Sequence, residues 1–250
     1  MDPLEALAIV AAGVAAGAIN AVVGSGTLIT FPVLIALGFQ PLVANVSNNI
    51  GLVPGAVAGV FGYRRELEGQ GSRAIKLGAF SIAGGILGAT LLLVLPASAF
   101  DAIVPALIAV ALVLVVAQPR IDRALAHRRD PKGEHGIALR AAITASGVYG
   151  GYFGAGQGIL LVGILGIGIR DRLQRINGLK NVLAGLVNAT AGVIFVFAAN
   201  VDWAVAGLIA GGSILGGLVG SHYGRRLEPN VLRALIVALG LVAIARLTLG

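Results

Sequence analysis

Two glycine-rich runs, Gly24-Ser25-Gly26-Thr27 and Gly154-Ala155-Gly156-Gln157, lie 130 residues apart, each inside a long stretch without charge. Glycine at this density interrupts a helix. A helix that restarts after such a break turns free N–H groups and the positive end of its dipole back toward it, an arrangement that suits an anion. Two breaks facing each other would hold a small anion with few charged side chains. The plainer alternative is a tight turn or a close helix crossing that uses glycine for fit.

Polar residues follow each run. After the first come Asn45, Ser47, Asn48 and Asn49; after the second come Asn177, Lys180 and Asn181. A neutral Asn side chain donates two hydrogen bonds, which suits transient recognition of an oxyanion. Lys180 is the only Lys or Arg outside the loops and the chain end, and a buried ionisable group in a membrane is costly and usually functional. The competing readings are snorkelling of Lys180 to the water and interhelical bonding or capping by the Asn residues. Asn20, Asn188, Tyr149 and Tyr152 read as weaker candidates that serve packing. The candidate substrate-binding set is therefore Gly24, Ser25, Gly26, Thr27, Asn48, Asn49, Gly154, Gly156, Gln157, Asn177, Lys180 and Asn181.

The elements that position these residues belong to a membrane protein. Residues 6–63 contain no Lys, Arg, Asp, Glu or His. As helix, that stretch would be roughly 87 Å long, nearly three crossings of a hydrocarbon core about 30 Å thick. Further uncharged runs cover 77–100, 102–119, 141–169, 181–201, 203–224 and 234–245. Only 12% of residues are charged, against about 25% in globular proteins, so a soluble domain is excluded. The fold class is all-α, a polytopic membrane protein whose partner is the lipid bilayer. Asp2 and Glu5 without a basic residue nearby predict a retained first membrane element rather than a cleaved signal.

The basic residues fix a topology. They cluster at 64–76, 120–140, 170–175 and 225–233, while the connectors 38–41, 95–101 and 199–203 have none. The clusters are placed in the cytoplasm and the other connectors outside. This explains the net charge of +7 without nucleic acid. Segment 141–169 has basic residues at both ends, so it must enter and return as a hairpin. Segment 4–38 is the matching hairpin, entered from outside. The first repeat then spans 1–118, with hairpin 4–38 and spans 41–62, 77–95 and 101–118. A cytoplasmic linker covers 119–139. The second repeat spans 140–250, with hairpin 141–169 and spans 178–199, 203–222 and 231–248. Three spans is an odd number, so the repeats have inverted topology and both chain termini lie outside. Inverted repeats with glycine-interrupted segments point to a secondary transporter, its site at the repeat interface.

Several functions are not called for. Cysteine is absent, which removes thiolate and Cys-metal chemistry. His127, His135 and His222 fall in or beside loops, so no metal site is expected. No nucleophile triad, carboxylate pair or phosphate-binding loop is present, and no enzyme activity, ATP site or cofactor is expected. A homo-oligomer is left open.

The stretches Gly17–Pro32 and Ala44–Asn49, leading to Gly62-Tyr63-Arg64, together with Gly150–Gly158 and Asn177–Asn181, resemble the sulfite exporter TauE/SafE family, also called the 4-toluene sulfonate uptake permease family. The resemblance covers essentially the whole chain. It implies transport of small sulfur-containing or carboxylate anions such as sulfite or sulfoacetate. Members often carry Lys after the first-half Asn, where this chain has Asn48-Asn49. The reading is a membrane transporter of a small anion, with export of sulfite or a related anion favoured. A negative interior expels an anion with about 2.3 kcal/mol per charge per 100 mV. Uptake of sulfonates or carboxylates, or an anion channel on the same fold, are the alternatives.

Overall fold

The computed structural model describes residues 1–126, 136–223 and 229–249. The middle of the expected linker, with His127, His135 and their basic neighbours, lies outside the described residues, as do Arg225 and Arg226. The described residues form ten helices and no strand.

The first hairpin is α1 (Pro3–Val22) and α2 (Thr27–Ala36), and the second is α6 (Ile137–Tyr152) and α7 (Gln157–Gly168). After the first come α3 (Pro41–Gly62), α4 (Gly71–Val94) and α5 (Ala97–Ala126); after the second come α8 (Leu173–Ala198), α9 (Trp203–Tyr223) and α10 (Pro229–Leu249). Local sequence starts several of them. Asp2 and Glu5 form a capping box at α1, with Pro3 in its first turn, and Pro41 opens α3.

Five described helices are long and apolar enough to cross a membrane: α1, α4, α5, α8 and α9. The protein is a multi-pass helical membrane protein. At 22 residues, α3 has the length but not the hydropathy, because Asn45, Ser47, Asn48 and Asn49 sit in its first half. Several helices outrun the uncharged stretches. α4 begins at Gly71 and carries Arg73 and Lys76; α5 runs to Ala126 through Pro119, into the segment expected as linker. At 30 residues, α5 is about 45 Å long, well beyond the hydrocarbon core. A charge marks where lipid ends, and a helix continues into water beyond that point.

Small residues bring the helices together. α1 packs along α9 in parallel, Gly13 against Ile209 and Gly17 against Ser213. α4 packs along α6 in the same sense, Ser81 against Gly147 and Gly85 against Gly151. α3 also runs parallel to α9, Gly51 against Ile209 and Gly55 against Ser213. α3 and α8 cross antiparallel, Gly185 near Ala56 and Gly192 near Asn49. Farther out, α2 lies on α10, α7 on α5, and α5 on α10. Lipid offers no hydrophobic drive between helices, so this close backbone approach is what holds them.

Two connectors meet on one face. Arg73 lies 3.1 Å from Asp171 and Arg175 lies 2.9 Å from it. The Arg175 guanidinium also donates to the Glu68 carbonyl (3.0 Å), and the Gln70 amide donates to the Arg175 carbonyl (3.1 Å). Partial burial pushes the Asp171 carboxyl up, but hydrogen bonds from the Arg172 backbone, Arg175 and Arg73 outweigh it and hold the carboxyl below its ordinary value. The basic clusters at 64–76 and 170–175 therefore share a face of the bundle.

α9 offers an internal control for the packing account. A Cβ on Gly216 would lie 2.0 Å from the Val14 carbonyl oxygen, whereas one on Gly207 would meet nothing within 4 Å. Gly216→Ala should lower stability in detergent by about 1–3 kcal/mol, as forced overpacking does. Gly207→Ala should leave the thermal unfolding midpoint unchanged. Equal midpoints for both variants would contradict close packing of α1 on α9.

Candidate functional site

The two hairpins break where the sequence places its glycines. Gly24 has φ +83°, and Gly154 and Gly156 have φ +81° and +75°. These are left-handed values that cost other residues energy. The breaks touch. The Gly158 N–H donates to the Gly24 carbonyl at 3.0 Å. A Cβ built on Gly24 would lie 2.4 Å from the Gly158 Cα, and the converse distance is the same. Neither position has room for a side chain.

Lys180 sits beside this junction with no exposed surface (0%). Its Nζ donates to the carbonyls of Asn20 (3.2 Å) and Ala21 (3.3 Å), and the Asn181 side-chain amide donates to the Ala21 carbonyl (3.0 Å). These carbonyls belong to the last turn of α1, where the helix leaves acceptors unpaired and its dipole is negative. Lys180 therefore caps the broken hairpin from 160 residues away. No carboxylate pairs with it among the described residues. Asn20, Gly24, Gly59, Lys180 and Asn181 contribute to the walls of a cavity of about 10 Å³, about the minimum for one water.

The second hairpin receives equivalent service from α3. The Asn45 side-chain amide donates to the carbonyl of Tyr152, the last residue of α6 (3.0 Å). The second hairpin also braces itself. The Tyr149 hydroxyl donates to the Ala155 carbonyl, and the Gln157 amide donates to the Ser146 carbonyl (3.1 Å). At the start of α2, the Thr30 hydroxyl donates to Asn48 Oδ1, and Asn48 Nδ2 donates to the Thr27 hydroxyl (3.3 Å). Phe31 and Phe153, one beside each break, meet edge to face with ring centroids 5.3 Å apart.

The structure treats the candidate residues differently. Gly24, Lys180 and Asn181 line the central cavity. Gly26 lets α2 pack on α1, since a Cβ there would lie 2.5 Å from the Ala16 carbonyl oxygen. Thr27 and Asn48 bond to each other, while Ser25 Oγ and Asn49 Oδ1 are buried with no hydrogen-bond partner among the described residues. Gly154, Gly156 and Gln157 build the second break. Asn177 is half-buried one turn before Asn181 and is not part of the cavity wall. Asn45, Thr30 and the backbone of Asn20 play parts the sequence reading did not give them. Asn45 stands in the same Asn-rich run as Asn48, but its partner is a carbonyl in the other half of the chain.

A profile of the family described as sulfite exporter TauE/SafE matches residues 9–247. The chain belongs to the TauE/SafE family. Its relatives include the probable membrane transporter protein ORF9 of Sinorhizobium sp, 28% identical across 93% of this chain and 88% of the relative. The probable membrane transporter protein YfcA of Escherichia coli K12 is 25% identical across 93% of this chain and 85% of its own length. A probable membrane transporter protein of Haemophilus influenzae is 24% identical across 94% of this chain and 91% of its own length. No solved structure gives a significant match. As a TauE/SafE protein the chain is a membrane transporter rather than an enzyme, working on a small substrate within lipid.

The two caps should differ in cost. Asn45→Ala leaves the buried Tyr152 carbonyl without its side-chain donor, whereas Asn181→Ala leaves Lys180 still donating to Ala21. An orphaned buried acceptor costs about 1–3 kcal/mol. Asn45→Ala should therefore lower the unfolding midpoint more than Asn181→Ala, measured side by side in one detergent. The reverse order would contradict this account of the hairpin ends.

Proposed function

We propose that this TauE/SafE transporter carries a small anion across the membrane by alternating access, most favourably exporting sulfite or a related sulfur-containing organic anion. The observation that carries the reading is Lys180: a fully buried cation, without a carboxylate partner among the described residues, where two helix breaks meet. A cation in so apolar a place is costly unless its charge has a use. An oxyanion is the ligand that uses it. The family description, sulfite exporter, agrees with a small sulfur oxyanion.

The roles follow from chemistry. The positive ends of α2 and α7 point toward the breaks and would attract the anion. Lys180 would supply charge. Asn48 and Asn181, with Ser25 and Thr27, would supply neutral hydrogen-bonding groups. Gly24, Gly26, Gly154 and Gly156 let backbone stand where side chains would block it. Gln157, Asn49 and Asn177 are the outer members of the proposed set. In the arrangement observed, Lys180 is held by carbonyls and the cavity beside it takes about one water. Binding would exchange the carbonyls of Asn20 and Ala21 for the oxygens of the anion.

Residues 1–118 and 140–250 are proposed as inverted repeats that rock against each other. What supports this is the exchange of partners between halves: α1 lies on α9 as α6 lies on α4, and α2 on α10 as α7 on α5, with α3 and α8 antiparallel between them. The face bearing 64–76 and 170–175 is proposed as cytoplasmic, with both termini outside. The membrane potential then drives an anion outward without ATP.

Lys180→Met keeps most of the length of the side chain and removes its charge. It should weaken sulfite binding by at least about tenfold, about 1.4 kcal/mol, in a calorimetric titration, with the protein still eluting as a folded species. Asn181 still reaches the Ala21 carbonyl in that variant. Unchanged affinity would remove Lys180 from the site.

A further inference from the structure

A second opening lies on the face of the bundle that carries the basic connectors. It is a cavity of about 280 Å³ where α3 and α9 end, lined by Gly62, Arg64, Arg65, Glu66, Ser221 and His222. Arg64 and Arg65 are exposed. The Arg64 guanidinium lies 4.7 Å from the centroid of the Phe61 ring and donates to the Phe61 carbonyl. Glu66 is the one acid in this lining among the described residues.

This pocket and the Lys180 cavity share α3. Gly55 and Gly59 line the inner cavity, and Gly62, three residues on, lines the outer one. That is about 4.5 Å along the helix. Depth points the same way. Lys180 is seven residues into α8 from Leu173, about 10 Å, but eighteen residues from Ala198 at the other end, about 27 Å. The thin wall of the inner cavity therefore faces the basic side. In that wall Ala21, at the capped end of α1, meets Gly59. A Cβ on Gly59 would lie 3.6 Å from the Ala21 Cβ, and among the described residues of other helices only Ala21 comes within 4 Å of it.

We infer that the pocket of Arg64 and Arg65 is the loading site for a small oxyanion, and that the Ala21–Gly59 contact is the gate it crosses to reach Lys180. The inference rests on the anion-transport reading above. Two exposed arginines at the rim concentrate anions and speed their entry more than they hold them. The gate is made of one methyl group against a glycine, so a small movement of the end of α1 opens it. The same movement frees the Asn20 and Ala21 carbonyls from Lys180. Gate opening and release of the buried cation are thus one event.

The chain has no cysteine, so introduced thiols report without background. The Cβ separation at 21 and 59 fits a disulfide, which spans about 3.5–4.5 Å. Oxidising the Ala21→Cys/Gly59→Cys pair in proteoliposomes should stop flux of labelled sulfoacetate, and reduction should restore it. Sulfoacetate is the probe because sulfite cleaves disulfides. A cross-linked protein that transports at the reduced rate would overturn the gate. A substrate-free arm decides the matter even if sulfoacetate is not carried. The single variant Gly59→Cys should react with membrane-impermeant thiol reagents added on the basic face, faster with an anionic reagent than with a cationic one. Arg64→Gln/Arg65→Gln should lower that ratio several-fold. No labelling from that face would overturn the gate, and an unchanged ratio would overturn the loading site. Labelling as expected with no flux in the reduced pair would uphold the gate and tell against this class of substrate.

Discussion

A bilayer has no water with which to satisfy a backbone polar group. Any helix that stops at membrane depth must find partners for its unpaired carbonyls and N–H groups inside the protein. This chain breaks two hairpins inside the helix bundle, so the constraint applies twice. Gly158 donates to Gly24 between the breaks, Lys180 and Asn181 serve the end of α1, and Asn45 serves the end of α6. Each donor comes from the opposite half of the chain. Neither hairpin is complete without the other half, and the glycine-lined packing of α1 on α9 and of α4 on α6 brings the halves close enough to complete them.

Satisfying broken helix ends and binding an anion make opposed demands on the same groups. A Lys at a helix C-terminus is stable where it is. The proposed cycle needs that Lys to leave its carbonyls when an anion arrives. The exchange is feasible because the carbonyl of Ala21 has a second donor in Asn181. The neutral network of the second break, made by Asn45, Tyr149 and Gln157, has no buried cation to release. The two breaks are therefore chemically unequal: one is held by charge and the other by neutral hydrogen bonds. On the proposed mechanism the charged side is the one that answers to the substrate.

Much of this was legible from residue types. Charge-free stretches mark membrane helices, and the glycine runs within them contain the left-handed positions 24, 154 and 156. Lys180 stood out because a lone cation in such a stretch is expensive. Other features were not legible, for physical reasons. Charges report where lipid ends and not where helices end, so α4 starts at Gly71 and α5 continues to Ala126. The partners of Lys180 are backbone carbonyls, which carry no signature in a sequence. Asn45 and Asn177 look alike in composition, yet one caps α6 and the other stands clear of the cavity. Only the register of α3 and α8 against the hairpins separates them.

The central claim is that the meeting of the two breaks moves a small anion down its electrical gradient. Labelled sulfite flux through reconstituted protein, with a membrane potential imposed in either sense, tests it most directly. The account predicts saturable flux that follows the potential, reverses with its sign and falls in the presence of competing sulfonates. Folded protein that passes sulfite no faster than empty vesicles at either potential would contradict the account.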